Sequence, residues 1–553
     1  MNGVHSRSAF LAILALITTV SSPPADAAPF HSAVGPSKGA ACERLAQLAL
    51  PDAKVTVAQS VPAGGFSGPP APFTGLDLSI FYKSLPAFCR AVVEAHPSSD
   101  SNIKIEIWMP GAGWNGKLRG FGNGGFAGLI DYPQLGTAIS HGYASTATDT
   151  GHSGSPVDAT WALGHPEKVT DFGYRGIHEM TRIAKAVIHA FYGSSPLHSY
   201  FAGCSDGGRE ALMEAQRYPE DYDGILAGAP ANFWTALLAM SAWDSQALTL
   251  DPASYIPGSQ MPVIAAAVVA ACDDRDGVRD EILNDPRECH FNPGVLLCKS
   301  EDAPDKCLTQ PQIAALEKIY DGPRNSHGRS VFPGYLPGAE EGPGGWATWI
   351  TGPAAKQSLM FLFANGYFSY MVYEKPDWDY KTFNLEPALK AAEDKTALAL
   401  NATNADLRPF QRRGGKLILY HGWNDPAISA VNTIDYYNSV ATKLGQQNVD
   451  SFVRLYMVPG MQHCAGGPGA DSFGQDGTPV PDDPQHSVHL ALERWVENGA
   501  APSTIVASKY ADKGPARRVK MTRPLCAYPQ FVKYRGAGDT NDAASFVCVQ
   551  GKK

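Results

Sequence analysis

Charge is scarce in this chain, and positive charge is scarcer. Asp, Glu, Lys and Arg together make up 18% of the 553 residues, and the formal charge is −9. A nucleic-acid partner wants a basic face, so none is expected. No Cys-x-x-Cys occurs, which argues against a thiolate zinc site. No internal repeat is found, and past the N-terminus no apolar run reads as long enough for a membrane helix, so no membrane partner is expected. Between Arg329 and Arg408 there is no arginine at all. What the chain does have is apolar material, at 44%, with 55 glycines and 43 prolines. That balance suits a loop-rich globular protein with ample core, and the length suggests more than one structural unit.

The N-terminus reads MNGVHSRSAFLAILALITTVSSPPADAAPF. Arg7 supplies a positive start, Phe10 to Val20 an apolar stretch too short to span a bilayer, and Ala25-Asp26-Ala27 a cleavage site of small residues. Residues 1–27 are therefore read as a secretory signal peptide, and the mature chain as secreted or periplasmic. All 10 cysteines follow it, and an even count in an exported chain favours disulfides. Short spacings suggest Cys272–Cys289, Cys298–Cys307 and Cys526–Cys548, and Cys42–Cys89 closes the N-terminal segment. Cys204 and Cys464 are left for each other.

NIKIEIWMP and KLRGF read as strands, GYASTATDTGH as a buried strand, and HSYFAG and YDGILAGAP as two more. Between them, DFGYRGIHEMTRIAKAVIHAFYG puts Ile177, Met180, Ile183, Ala184, Val187 and Phe191 on one helical face and stops at Gly193. GREALMEAQRYP is a second helix. Strands alternating with helices imply an α/β fold with a mostly parallel sheet. The rhythm breaks after Pro230 and resumes at GGKLILYHGWND. Expected units are thus a first sheet part over 28–231, an insert over 232–407 and a second sheet part over 408–553.

Gly203-Cys204-Ser205-Asp206-Gly207 is a G-x-S-x-G placed between a strand and a helix. That context makes a strained turn that exposes a serine hydroxyl. Gly35-Pro36-Ser37-Lys38-Gly39 has the same pattern without the context and is set aside. A serine needs a base to take its proton, usually a histidine oriented by a carboxylate. Asp425 lies just past one late strand and His463 in the loop past the next, so the order is Ser, Asp, His. Residues flanking a serine–histidine pair fall within bridging distance, so a Cys204–Cys464 bond would clamp the nucleophile turn to the histidine loop. Oxyanion donors are expected from the N–H of Asp206 and of a glycine in FGNGGFAG, with Gly125 preferred and Gly124 next. His421 and Trp423, just upstream of Asp425, either line the pocket or pack within the strand.

A second cluster, CDDRDGVRDEI, crowds Asp273, Asp276 and Asp280 around Gly277. With the carbonyls of Val278 and Ile282 these form an oxygen shell of the kind calcium takes; the alternative is a solvated acidic turn. The flanking Cys272 and Cys289 favour an ordered loop.

On GCSDGGREALMEAQRYPEDYDGILAGAP, CDDRDGVRDEI, GGKLILYHGWNDPAIS, PGMQHCAGGPG and RPLCAYPQ, the chain resembles the tannase and feruloyl esterase family of α/β-hydrolases, which also holds the mono(hydroxyethyl)terephthalate hydrolases. The resemblance implies an α/β-hydrolase fold with a large inserted lid domain. It implies a triad of Ser205, Asp425 and His463, a Cys204–Cys464 bridge, and oxyanion donors at Gly125 and Asp206. It also implies a structural Ca2+ on Asp273, Asp276, Val278, Asp280 and Ile282. The substrate expected is a small aromatic ester, feruloyl first, then gallate as in a tannase. Terephthalate-monoester members grip their substrate with an arginine that is missing here, although Lys356 or Lys375 is a possible substitute. In place of an arginine the insert carries Phe361, Phe363, Tyr367, Phe368, Tyr370 and Tyr373, some for its own core and some, Phe361 and Tyr367 first, for stacking on a phenolic ring. The reading from another class is a calcium-dependent binding protein on an inactive hydrolase scaffold.

Overall fold

Nine strands form one mixed sheet in the computed structural model, which describes residues 41–71, 75–301, 303–478, 480–511 and 517–551. They are β1 (Ala53–Val61), β2 (Phe88–Ala95), β3 (Ile103–Pro110), β4 (Lys117–Phe121), β5 (Ala144–Thr148), β6 (His198–Cys204), β7 (Gly224–Gly228), β8 (Lys416–Gly422) and β9 (Val453–Val458). Their order is β1-β2-β3-β5-β4-β6-β7-β8-β9. The pairings from β1 to β5 are antiparallel and those from β5 onward are parallel. Parallel strands are covered on both faces and are apolar throughout. Accordingly every residue of β7, and of β8 after Lys416, is buried.

On one face the helices Gly176–Tyr192, Asp206–Arg217 and Ala430–Leu444 pack Ile183, Leu212 and Ile434 against the strands. On the other, Tyr132–Ser140 and Val488–Asn498 contribute Leu135, Leu492 and Trp495. The first of these helices stops at Gly193, whose φ of 74° gives the left-handed cap that glycine adopts without strain.

Between β7 and β8 the chain adds no strand to this sheet among the described residues. Helices Trp234–Thr249, Gln310–Asp321, Leu359–Gly366 and Leu385–Leu400 gather instead around a third core. That core also takes in Phe126, Ala427 and Ile428 from the loops that follow β4 and β8, so the insert is packed onto the strand ends.

One expectation is corrected here. Pro252–Asp276, 25 residues containing an 18-residue window with a mean hydropathy of 1.4, is apolar and long enough to pass for a membrane span by length and composition. Its regular α-helix is shorter, Met261–Cys272, and turns Met261, Ile264 and Val268 into the insert's core. Alanines and valines raise the hydropathy, and Cys272 ends the helix in a bridge to Cys289.

Five disulfides form, with the expected partners: Cys42–Cys89, Cys204–Cys464, Cys272–Cys289, Cys298–Cys307 and Cys526–Cys548. The last links two small sheets that the sequence did not announce, β10 (Thr504–Tyr510) with β11 (Val519–Cys526), and β12 (Gln530–Tyr534) with β13 (Phe546–Gln550). Residues 1–27, read as a signal peptide, lie outside the described residues.

Candidate active site

Ser205 stands between β6 and the helix Asp206–Arg217 with φ 66° and ψ −119°, a conformation that costs a non-glycine residue energy. The turn is held from outside: the Ser205 N–H donates to the Gly228 carbonyl, and the Ser205 carbonyl accepts from Ala231. The neighbouring glycines are required by closeness. A Cβ at Gly203 would lie 2.5 Å from the Gly207 carbonyl oxygen, and one at Gly207 would lie 2.8 Å from that of Asn123.

His463 follows β9 and its Nδ1 lies 2.7 Å from Asp425 Oδ2. Asp425 Oδ1 accepts the N–H groups of Ala427 and Ile428 at 2.8 and 2.9 Å. Burial alone would raise the Asp425 carboxyl. The His463 charge and the donors on His421 and His463 outweigh it and hold the group well below the ordinary carboxylate range. The Cys204–Cys464 bridge, with Cα atoms 6.0 Å apart, ties the residue before Ser205 to the residue after His463. The His463 ring meets Trp349 edge-on at 4.8 Å between centroids.

The loop after β4 brings Gly125 to the same place. Gly125 has φ 61°, and a Cβ there would lie 2.3 Å from the Pro156 carbonyl oxygen. Asp206 opens its helix, where an N–H has no carbonyl one turn back to bond. Four contacts pin the Gly125 loop. Gly207 donates to the Asn123 carbonyl at 2.8 Å, and the Asn123 N–H donates to Glu210 Oε2 at 2.8 Å. Phe126 donates to the Pro156 carbonyl, and His152 Nε2 lies 2.7 Å from the Phe126 carbonyl. That carbonyl accepts, so the His152 proton sits on Nε2; burial depresses its pKa to about 4 and keeps the ring neutral.

A cavity of about 50 Å³ opens at Ser205. Gly125, Asp206, Trp234, Leu237, Trp349, Met360, Phe363 and Ile428 are among its walls. Asp206 directs its carboxylate at Arg209 Nε, 2.7 Å away, so the wall is apolar apart from the serine and the loop N–H groups. No lysine or arginine lines it; Lys356 and Lys375 are both exposed elsewhere.

Four residues read as substrate-binding are not on this wall. His421 is fully buried and bonds to Asp425. Trp423 borders a different cleft, where the Arg287 guanidinium lies 5.0 Å above its ring. β8 ends at Gly422, and the chain reaches the pocket only at Ala427 and Ile428. Phe361 packs on Tyr380, and Tyr367 is buried in the insert's core with its hydroxyl on Thr396. In Leu359–Gly366 the pocket takes Met360 and Phe363, spaced i,i+3 on one helical face, and Phe361 falls on another. Trp234, Leu237 and Leu238 went unnoticed because their helix has no separate polar face; Leu237 and Leu238 lie three and four residues beyond Trp234, and that spacing is the signal that would have found them.

In the acidic loop, burial raises Asp273, Asp276 and Asp280; Asp276, with Asp280 and Asp273 adding their charge, reaches about 6. Arg523 pairs with Asp280 Oδ2, and the exposed Arg279 with Asp274, while Asp273 and Asp276 have no ion pair among the described residues. Among the described residues no three acidic, His or Cys side chains form a metal cluster by themselves. Hard oxygens crowded without enough positive charge nonetheless fit a cation that also draws on backbone carbonyls.

The sheet order, the strained serine after β6 and the acid–histidine pair beyond β8 and β9 define an α/β-hydrolase. A family profile described as tannase and feruloyl esterase matches residues 89–549. An uncharacterized esterase of Xanthomonas campestris pv. campestris is 41% identical over 541 residues, 94% of this chain and 92% of that protein. A probable feruloyl esterase B-2 of Aspergillus terreus is 32% identical over 466 residues, 83% of this chain and 86% of its own. The crystal structure of feruloyl esterase B from Aspergillus oryzae superposes with a TM-score of 0.82 at 30% identity, covering 92% of this chain and 99% of that one. The chain belongs to the tannase and feruloyl esterase family and is a carboxylic ester hydrolase.

Proposed function

We propose that the protein is an exported serine esterase that hydrolyses hydroxycinnamate esters through an acyl-enzyme. Ser205 Oγ attacks the ester carbonyl while His463 takes its proton. Asp425 orients His463 and balances the charge that forms there. The N–H groups of Gly125 and Asp206 receive the oxyanion. His463 then protonates the departing alcohol, and water, deprotonated by the same imidazole, releases the acid and restores Ser205.

The observation that carries this reading is the aromatic and aliphatic wall around Ser205, whose Trp349 also meets the His463 ring. A phenylpropenoid ring is flat, apolar and sparsely hydroxylated, and suits such a wall. A polyhydroxylated gallate ring would bury hydroxyls without partners, each at roughly 1–3 kcal/mol. A terephthalate monoester would bury a carboxylate with no cation. Five disulfides support export to an oxidising compartment, secreted or periplasmic. Calcium, if held by Asp273, Asp276, Asp280 and the carbonyls of Val278 and Ile282, plays a structural part and enters no chemical step.

A fluorophosphonate probe tests the serine mechanism. One equivalent of label on the Ser205 peptide is expected, with ester hydrolysis lost both on labelling and in Ser205→Ala. A protein that takes no label and turns over no ester would instead be a binding protein on this scaffold.

A further inference from the structure

His421 has no part in the pocket, yet it is placed with care. It lies in β8, has 0% exposure, and has a partner at both ring nitrogens. Nε2 is 3.0 Å from Asp425 Oδ2 and 3.0 Å from the Ile428 carbonyl. Both partners accept, so the proton is on Nε2. Nδ1 is 2.7 Å from Thr433 Oγ1, and the buried threonine hydroxyl donates to it. Those partners define one neutral tautomer. Asp425 Oδ2 therefore takes two imidazole N–H groups, from His463 at 2.7 Å and from His421 at 3.0 Å, while Oδ1 takes two backbone N–H groups.

We infer that His421 is a positioning residue of the relay: its Nε2–H fixes the Asp425 carboxylate and takes a share of the charge that would otherwise fall wholly on His463. This rests on reading Ser205, His463 and Asp425 as the catalytic relay. A carboxylate oxygen that serves two donors attracts each less than it would attract one. With His421 gone, Oδ2 serves His463 alone, so the His463 imidazolium is stabilised and gives up its proton at higher pH. The carboxylate also loses one of the four N–H donors that hold its orientation, which reduces the rate and leaves substrate binding largely as it was. The other ionisable groups facing this cluster are Tyr335, whose hydroxyl donates to the Ala427 carbonyl, and Asp244, which acts electrostatically on Tyr335. Burial keeps Asp244 protonated, so neither contributes charge near neutrality.

The test is the pH dependence of kcat/KM for methyl ferulate with wild type, His421→Leu and His421→Gln, alongside Ser205→Ala. For His421→Leu the acid limb is expected to move up by about one pH unit, and kcat to fall about tenfold with KM nearly constant. His421→Gln, whose amide N–H can still face Asp425, is expected to fall between it and wild type. A His421→Leu limb at the wild-type position would overturn the inference, whatever happens to kcat. Because the site is fully buried and a leucine variant that fails to fold gives no kinetics, the ring nitrogens of wild-type His421 are also observed by 15N NMR. A ring that carries its proton on Nε2 is expected, and an Nδ1–H ring with a bare Nε2 would overturn the proposal without any kinetics. If wild type hydrolyses no ester, or Ser205→Ala hydrolyses it undiminished, the esterase reading fails instead, and the NMR result still decides the geometry.

Discussion

Glu210 is fully buried in the helix that follows Ser205, with Oε2 accepting the Asn123 N–H and Oε1 meeting no partner among the described residues. Burial first, and the charge of Asp206 second, raise its pKa well above the usual glutamate range, so the folded protein holds it as the neutral acid. The sign of the linkage follows. Below the unfolded pKa both states are protonated and the contribution is whole. As pH rises past it, the unfolded chain gives up a proton that the folded chain keeps, and stability declines. Glu210→Gln removes that titration and keeps an acceptor for Asn123. Its melting temperature is expected to fall less than that of wild type between about pH 5 and 8. Glu210→Leu leaves the Asn123 N–H unpartnered, and its kcat is expected to drop about tenfold, further than that of the glutamine variant. Equal kcat for the two would show that this bond does not hold the Gly125 loop in place.

At the scale of elements, the site is a set of strand ends. β6, β8 and β9 deliver Ser205, Asp425 and His463, each at the point where an apolar run gives way to a turn. Such points are legible in sequence, because a parallel strand is a short continuous apolar block and its end is abrupt. The disulfide partners were legible too, since short spacings paired six cysteines, Cys42 and Cys89 closed the N-terminal segment, and two remained. The pocket wall was not. Trp234, Leu237, Met360 and Phe363 come from helices without a separate polar face, and nothing local separates the face toward the cavity from the face toward a core. For His421 the sequence left pocket lining and strand packing both open for a related reason: its spacing from Asp425 says that the two are close and not which side of β8 carries the bond. The Cys204–Cys464 bridge joins elements 260 residues apart. A Cys204→Ser, Cys464→Ser protein is expected to lose on the order of 3–5 kcal/mol of stability. Its kcat is expected to fall with KM little changed, because the histidine loop is no longer held in register. Unchanged kcat in the folded double variant would limit the bridge to stability.

Over the whole molecule, three cores meet at the strand ends. The insert's core reaches down to Phe126 and Ile428 beside Ser205, so the substrate wall and the sheet are joined by continuous packing. The acidic loop joins the insert to the C-terminus: Val278 packs on Cys526, Val532 and Phe546 of the small C-terminal sheets, and Asp280 pairs with their Arg523. A cation there would tie insert to C-terminus. Chelation is accordingly expected to lower the melting temperature by about 2–5 °C and to leave the rate at low temperature nearly intact. Superimposable melting curves with and without chelator would argue against a bound cation. The apolar wall is the feature on which the substrate reading depends, and side-by-side kcat/KM values for methyl ferulate and methyl gallate address it directly. The ferulate ester is predicted to be the better substrate by at least about tenfold; a gallate ester turned over as well or better would contradict the account.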